Sequence, residues 1–284
     1  MKLKNAAKFF DRDTVTDGYT GDFLFKGQWG SFEASKPDGS FERRRTVSVA
    51  PEVQPAPRRV VTIGDEMWLM GEFISDSFFD APIRKTCSAK LVTHNFDLLT
   101  PGQAALGNAP GTSMYGHTMY LKDTVNTNTN SEYTPFYNVN LASTEWPVDG
   151  QFLRSHELFL HIRSTYREVE GFWTVASDEI SPESASGPAT NCEVTAVFEG
   201  AVNPVTEVTA ASQVIPGILM EMYMLYAYQT QADPRNLQGD KTLIVAKTSI
   251  TPAAGQRVVI NSEPWRVERI TSYQDAWNVH LRRA

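Results

Sequence analysis

Short stretches in which polar and apolar residues alternate recur along the whole chain. Residues 45–49 and 193–198 both have this period of two, and both are rich in β-branched and aromatic side chains. Such stretches, bounded by Gly, Pro, Asn or Asp, are typical of β-strands, and no stretch has the spacing of a long amphipathic helix. We therefore predict an all-β protein with one or two small β-barrel or β-sandwich modules and a long polar insertion. The predicted strands cover residues 46–49, 60–63, 67–73, 158–162, 194–198, 243–250, 258–260, 265–270 and 277–281.

Two segments far apart in the chain share one hairpin pattern. Residues 59–68 align on residues 257–265 with a one-residue gap, and each segment reads as a strand, a tight turn and a second strand led by Trp68 or Trp265. We expect each tryptophan to follow a tight turn and to pack on the apolar strand before it. The pattern has two explanations, an internal duplication or two similar hairpins that arose independently.

Composition divides the chain into three zones, of which the middle one differs most. Residues 96–150 contain one lysine, no arginine and five acidic side chains, and about half of them are Asn, Thr, Ser, Gly or Pro. A long polar stretch of this kind is usually a functional or mobile loop. We therefore predict an N-terminal β-module over residues 1–95, an extended loop or arm over 96–150 and a C-terminal β-barrel module over 151–284.

The middle zone also carries scattered apolar side chains at intervals suited to anchors on an extended arm. They are too scattered to bury enough surface to offset the entropy of the chain. We expect the arm to become ordered on a neighbouring subunit by adding a strand to a sheet edge, so that a chain lacking residues 111–137 would fold but not assemble. The candidate contact residues are Met114, Tyr115, Met119, Tyr120, Tyr133, Phe136 and Tyr137.

The charge balance and cysteine content exclude several classes of protein. The chain has 26 basic and 33 acidic side chains, a net charge of −7, which argues against a protein that wraps nucleic acid by neutralising its phosphates. Its two cysteines, Cys87 and Cys192, are too few for a disulfide-stapled secreted scaffold. The N-terminus lacks the apolar core of a secretory signal, and the most apolar run, 214–228, is shorter than a membrane span. We expect a soluble protein made in a cytoplasm.

The motifs of common catalytic and cofactor sites are missing from the sequence. It has no phosphate-binding glycine loop, no dinucleotide fingerprint and no Gly-x-Ser-x-Gly elbow. His156 and His161 are five residues apart, which places them on opposite faces of a strand. We therefore expect no enzymatic activity, no metal site and no cofactor. A β-type glycosidase or esterase, with a carboxylate pair such as Asp178 and Glu179, is the alternative enzyme class.

Five arginines form the main basic cluster of the sequence. This cluster either contacts an acidic partner or DNA phosphate, or forms a solvated edge whose charge prevents unwanted strand pairing. The sequence favours neither explanation over the other. The members are Arg43, Arg44, Arg45, Arg58 and Arg59.

The C-terminal hairpins resemble a known family. Residues 239–242, 255–260, 263–270 and 277–283 follow a pattern of basic and apolar positions, a turn, Trp-Arg-Val and a final strand ending in basic residues. This pattern resembles the head-closure, or head–tail stopper, proteins of tailed bacteriophages, which are small β-barrel neck proteins. The resemblance covers about 45 residues well, and residues 59–74 look like a second, looser copy. Members of that family are much shorter than this chain.

The resemblance implies a structural virion protein of the phage neck, assembled in the host cytoplasm. Such a protein forms a homo-oligomeric ring, hexameric or dodecameric, between the portal or its adaptor and the tail, and helps to retain packaged DNA without a membrane or specific DNA binding. Acidic side chains from the Lys- and Arg-free stretch 168–234 would line the channel and repel DNA, or would simply aid solubility. These candidates are Glu168, Glu170, Asp178, Glu179, Glu193, Glu199 and Glu207.

Two further functions stay open at the level of the sequence. One is a collar or tail-completion protein of the same particle. The other is a carbohydrate-binding β-sandwich module of a tail fibre or adhesin, in which surface aromatics such as Trp146, Trp173 and Tyr133 would stack on sugars.

Overall fold

The protein consists of three small β-barrels in tandem. A computed structural model describes residues 13–35, 41–54, 60–78, 81–107, 110–121, 136–142, 147–168, 170–180, 192–200, 210–221 and 241–284. This part of the chain forms nineteen strands and one short helix. The strands close into three barrels, each with six strand positions, and in the first barrel two short strands share one of these positions. The predicted all-β class with small barrel modules is therefore confirmed, and the modules number three where one or two were expected.

The first barrel comes from the strands before residue 92. Its sheet has the order β3-β2-β1-β4-β5-β7-β6 and closes through pairing of β3 with β7. The strands are β1 (Asp13–Asp17), β2 (Phe23–Ser35), β3 (Phe41–Val49), β4 (Val60–Ile63), β5 (Glu66–Met70), β6 (Ile74–Phe78) and β7 (Ala81–Leu91).

The second barrel begins three residues after the first one ends. Its closed order is β10-β13-β12-β11-β8-β9, and its first connection carries α1 (Pro101–Leu106), which Thr100 caps. The strands are β8 (His94–Leu99), β9 (Thr112–Leu121), β10 (Phe136–Ala142), β11 (Phe152–Arg154), β12 (Phe159–Arg167) and β13 (Trp173–Glu179).

The third barrel contains the segments that carry the family resemblance. Its closed order is β14-β15-β16-β19-β18-β17. The strands are β14 (Cys192–Phe198), β15 (Gln213–Glu221), β16 (Lys241–Ala246), β17 (Arg257–Ile260), β18 (Glu263–Tyr273) and β19 (Ala276–Arg283).

All three barrels have the same strand connectivity. When the strands of each barrel are numbered along the chain, the first pairs with the second and the fourth, and the sixth pairs with the third and the fifth. In the first barrel, β5 and β6 together take the place of the fifth strand, since both pair with β7. The chain therefore repeats one structural unit three times.

The fifth strand is interrupted at the same place in each barrel. Arg163 and Glu268 are the extra residues of β-bulges in the second and third barrels. In the first barrel, β5 ends just before Gly71, whose N–H donates to the carbonyl of Ser88. Each of these positions lies three residues after the buried residue, Trp68, Leu160 or Trp265, that pairs with the fourth strand.

The two predicted tryptophan hairpins join the fourth and fifth strands of the first and third barrels. Trp68 pairs with Val61 and is 1% exposed, and Trp265 pairs with Val258 and is 4% exposed. The turns contain backbone with positive φ at Gly64, and at Asn261 and Ser262, as a two-residue hairpin turn of this kind requires. The two hairpins that are similar in sequence thus occupy equivalent positions in two barrels of the same connectivity.

The predicted arm over residues 96–150 is wrong for its described residues. β8, β9 and β10 are three adjacent strands of the second barrel, in which β8 also pairs with β11 and β10 also pairs with β13. Met114, offered as an arm contact, is 1% exposed and packs in the barrel core with Phe96 and Val139. The inward-facing positions alternate with polar ones, so the apolar side chains that looked scattered along the sequence meet inside the barrel.

Candidate interaction surfaces

The remaining arm candidates lie at several places in the second barrel. Tyr137 packs at the barrel core, and Met119 is half-buried on β9. Tyr115 faces the first barrel, where its ring centroid lies 5.0 Å from that of Tyr19. Tyr133 and the side chains of Tyr120 and Phe136 lie outside the described residues.

A buried ion-pair network joins the first barrel to the second. Lys90 of β7 is 1% exposed, and its Nζ donates to Asn140 Oδ1 at 2.8 Å and to Glu168 Oε2 at 3.0 Å. Asn140 and Thr174 in turn donate to Glu168 Oε1, at 3.0 and 2.9 Å. The Phe172 ring lies 4.7 Å from Lys90 Nζ. Each charge is thus compensated, as burial of charged groups requires.

Glu168 is held in its ionised form by this network. Burial alone raises the pKa of its carboxyl, but the charge of Lys90 and the hydrogen bonds from Asn140, Lys90 and Thr174 bring the pKa below its ordinary value. The carboxylate therefore stays charged at neutral pH, and the pair with Lys90 persists.

The connection between β12 and β13 docks around this network. Glu170 Oε1 accepts from the Arg44 guanidinium at 3.0 Å, and the carbonyl of Glu170 accepts from the N–H of Glu72 at 3.0 Å. A Cβ at Gly71 would lie 2.5 Å from that carbonyl oxygen, so the close approach requires glycine. Glu72 also pairs with Arg167 across the junction.

The junction of the second and third barrels is mainly apolar, and one carboxylate accepts hydrogen bonds across it. Asp275, in the turn between β18 and β19, accepts from Thr100 Oγ1 at 2.5 Å and from the N–H of Gly102 at 2.9 Å. Beside this contact, α1 packs on the third barrel within a mixed apolar cluster. That cluster contains Leu99, Ala104, Ala105, Phe152, Ile180, Ile218, Ile244 and Ala276.

In both junctions, the connection between the fifth and sixth strands of one barrel docks on the barrel before it. The equivalent element of the first barrel is the β6–β7 hairpin. β6 pairs only with β7 in the described part of the chain, and Arg84 Nε donates to Asp76 Oδ2 at 2.7 Å within the hairpin. Ile74 is 64% exposed, and Ile83 is also exposed. This hairpin therefore presents an unpaired strand edge with apolar side chains.

The described members of the predicted basic cluster contact carboxylates of the same chain. Arg44 pairs with Glu170 in the junction described above. Arg45 donates to Glu66 Oε2 at 2.9 Å, and its guanidinium lies 4.4 Å from the centroid of the Trp68 ring. Arg58, Arg59 and the side chain of Arg43 lie outside the described residues, so a partner contact by this cluster stays a prediction for them.

Most of the predicted acidic candidates also form ion pairs with basic side chains. These pairs lie in different parts of the molecule. Such pairs leave little free negative charge, so these residues do not make one continuous acidic face. Glu179 instead accepts from the Tyr137 hydroxyl at 3.3 Å, and Glu207 lies outside the described residues. The pairs are Glu168 with Lys90, Glu170 with Arg44, Asp178 with Arg163, Glu193 with Arg154, and Glu199 with Arg257.

His161 lies on β12 beside the second junction. Its ring centroid is 4.9 Å from that of Phe152, and its Nδ1 is buried without a hydrogen-bond partner in the described structure. Burial, together with the charge of Arg163, lowers the pKa of His161 to about 4. The folded protein therefore holds a neutral imidazole where the unfolded chain titrates near 6.5.

Stability should consequently fall as the pH drops from about 6.5 to about 4, because the unfolded chain takes up a proton on His161 that the folded chain excludes. At about pH 5 we expect this residue to cost about 1–2 kcal/mol of unfolding free energy relative to pH 7.5. Urea unfolding of the wild type and of His161→Phe at both pH values measures the difference. His156→Gln, on an exposed position of the same barrel, is the control. Retention of the full wild-type pH dependence by His161→Phe would contradict the assignment.

The aromatic residues suggested for sugar stacking receive little support. Trp173 is half-buried, and the guanidinium of Arg167 lies 5.8 Å from its ring centroid. Trp146 and Tyr133 lie outside the described residues.

Comparisons with protein-family models, with curated proteins and with solved structures found no match for the chain. Within the described ranges, no helix is long and apolar enough to cross a membrane. The same ranges hold no group of three or more His, Cys, Asp or Glu side chains placed to bind a metal ion.

Proposed function

We propose that the chain is a structural protein of a tailed-phage neck, a ring component that joins the portal or its adaptor to the tail and helps to retain packaged DNA. The C-terminal residues that resemble stopper proteins form a closed six-stranded barrel, which is the kind of module that the resemblance implies. Two further barrels of the same connectivity precede it, and this accounts for the greater length of the chain.

The observation that carries the proposal is the β6–β7 hairpin, in which β6 has no second strand partner among the described residues. The other two connections of this type lie in junctions within the chain, whereas this hairpin offers an unpaired edge and the exposed Ile74. A free strand edge is a ready site for pairing with another chain. In a ring, the hairpin of one subunit would dock on its neighbour, as the equivalent connections dock within one subunit.

Ile74→Glu should therefore reduce the assembly to single chains while leaving the fold intact, because a charge on the docking edge opposes burial. Light scattering on a sizing column measures the mass, which for the wild type should be six or twelve times that of the chain. Val214→Glu is the matched control, since Val214 is 65% exposed on the third barrel, and it should leave the ring unchanged. Electron microscopy of particles would place the ring at the neck.

A wild-type chain that stays monomeric with its portal, adaptor and tail partners present would overturn the proposal. Specific binding of glycans by that monomer would replace it with the carbohydrate-binding alternative. Equal assembly of Ile74→Glu and the wild type would show that a different surface makes the ring.

A further inference from the structure

Three arginines lie side by side on the outer face of the third barrel. Arg266 of β18 is directly opposite Arg257 of β17 on one side and Arg282 of β19 on the other. The neighbours Val258 and Val267 are in the barrel core, so the arginines, at alternate positions, face outward. With strands about 4.8 Å apart, the row spans about 10 Å.

The positive charge of this arginine row is only partly compensated. Glu199 lies 3.4 Å from Arg257, and Glu268 lies 3.9 Å from Arg282. No carboxylate of the described residues is within ion-pair distance of Arg266. Like charges directly opposite each other on a sheet are destabilising. Repulsion within the row therefore lowers the stability of the barrel, and a bound anion would remove this repulsion.

A fourth arginine extends the row along β18. Arg269 pairs across the strands with His280 after the bulge, and its Nη2 is 3.5 Å from His280 Nε2. Burial, and then the charge of Arg269, lower the pKa of His280 against the opposing effect of Glu268, which favours the neutral ring beside Arg269. The face thus presents four exposed guanidinium groups at adjacent positions.

The chemistry of the face fits a phosphate polymer better than a protein partner. The centres of protein interfaces combine arginine with aromatic residues and methionine, but none of the exposed large hydrophobic residues in the described structure lies on β17, β18 or β19. The guanidinium group, by contrast, binds phosphate oxygens in a bidentate geometry. A row of such groups suits evenly spaced phosphates rather than one small anion.

We propose that this arginine row binds the phosphodiester backbone of nucleic acid, without reading its sequence. The inference does not depend on the proposed neck function, because it requires neither a ring nor a phage partner. Because the chain as a whole has a net charge of −7, binding should be weak and sensitive to salt.

The test is fluorescence anisotropy of a short labelled DNA duplex with the full-length protein at several salt concentrations. Three to four phosphate contacts predict a slope of about −3 in log affinity against log salt. Arg266→Ala should reduce the magnitude of that slope by about 1 and weaken binding equally for unrelated sequences. Arg266→Lys should retain most of the slope, because it retains the charge.

Lys26→Ala is the matched control, since it removes one positive charge from an exposed position on the first barrel, away from the arginine row, and it should bind like the wild type. Melting temperatures of all variants establish that they fold, and removing repulsion from the row should not lower them. Absence of binding at low salt would overturn the proposal. So would a double variant, Arg266→Ala with Arg282→Ala, that has the same slope of log affinity against log salt as the wild type. It is equally overturned if those changes abolish only a salt-sensitive association between copies of the protein.

Discussion

Lys90→Ala should lower the free energy of unfolding by about 3–5 kcal/mol, the usual cost of removing one partner from a buried ion pair. The variant would leave Glu168 without its cation and Asn140 Oδ1 without its donor. It would also open a cavity beside Phe172 at the junction of the first two barrels. Urea unfolding at neutral pH, followed by far-ultraviolet circular dichroism, measures the loss.

Two comparisons separate the buried network from a general effect of removing a lysine. Lys26→Ala, at an exposed position of the same barrel, should change stability by less than about 0.5 kcal/mol. Lys90→Met combined with Glu168→Gln should be less damaging than Lys90→Ala, because neither partner is then left as an unpaired buried charge. If Lys90→Ala is no less stable than Lys26→Ala, the two barrels do not depend on this network.

The pH dependence gives the same network an independent signature. Because the pKa of Glu168 is lowered in the folded protein, its contribution is present above the ordinary carboxyl pKa of about 4.3 and is lost as the pH falls through the lowered value. Lys90→Ala should abolish that part of the acid sensitivity.

Trp265→Ala should cost about 3–5 kcal/mol, as truncation of a buried tryptophan usually does. Its ring lies in the core of the third barrel with Val258, Val267 and Leu281, and the first two lie on strands of the hairpin that it stabilises. The variant should lower the melting temperature of the third barrel and expose its C-terminal strands to proteolysis. Differential scanning calorimetry, together with limited proteolysis, checks both effects.

Val214→Ala is the control for this experiment, because it truncates a side chain of the same barrel that is 65% exposed. It should leave the melting temperature nearly unchanged. An unchanged melting temperature for Trp265→Ala would mean that the tryptophan hairpin is not part of the folded core.

The sequence predicted the local elements well wherever one face of a strand is apolar and the other is polar. The strands β4, β14, β17 and β19 lie where the period of two placed them, and both tryptophan hairpins have the expected turns. These features depend on neighbours within a few residues, so the chain specifies them without reference to the rest of the fold.

Other strands were missed because their surroundings override the local pattern. β15 contains Pro216 and Gly217, which normally argue against a central strand. In the structure, Pro216 pairs with β14 only, because the pairing of β15 with β16 begins at Ile218. A Cβ at Gly217 would lie 2.7 Å from the carbonyl oxygen of Ile244. Glycine is therefore needed for the close approach of two strands that no local pattern reveals.

The sequence by itself thus determined the all-β class, the alternation of faces and the two tryptophan hairpins. Only the tertiary structure decided that residues 94–121 and 136–142 complete a barrel, that Lys90 is buried between two barrels, and that Arg257, Arg266 and Arg282 form one row. Strand register and barrel closure bring together residues that are distant along the chain. A pattern of period two specifies which face a residue occupies, but it does not specify which strand lies beside it.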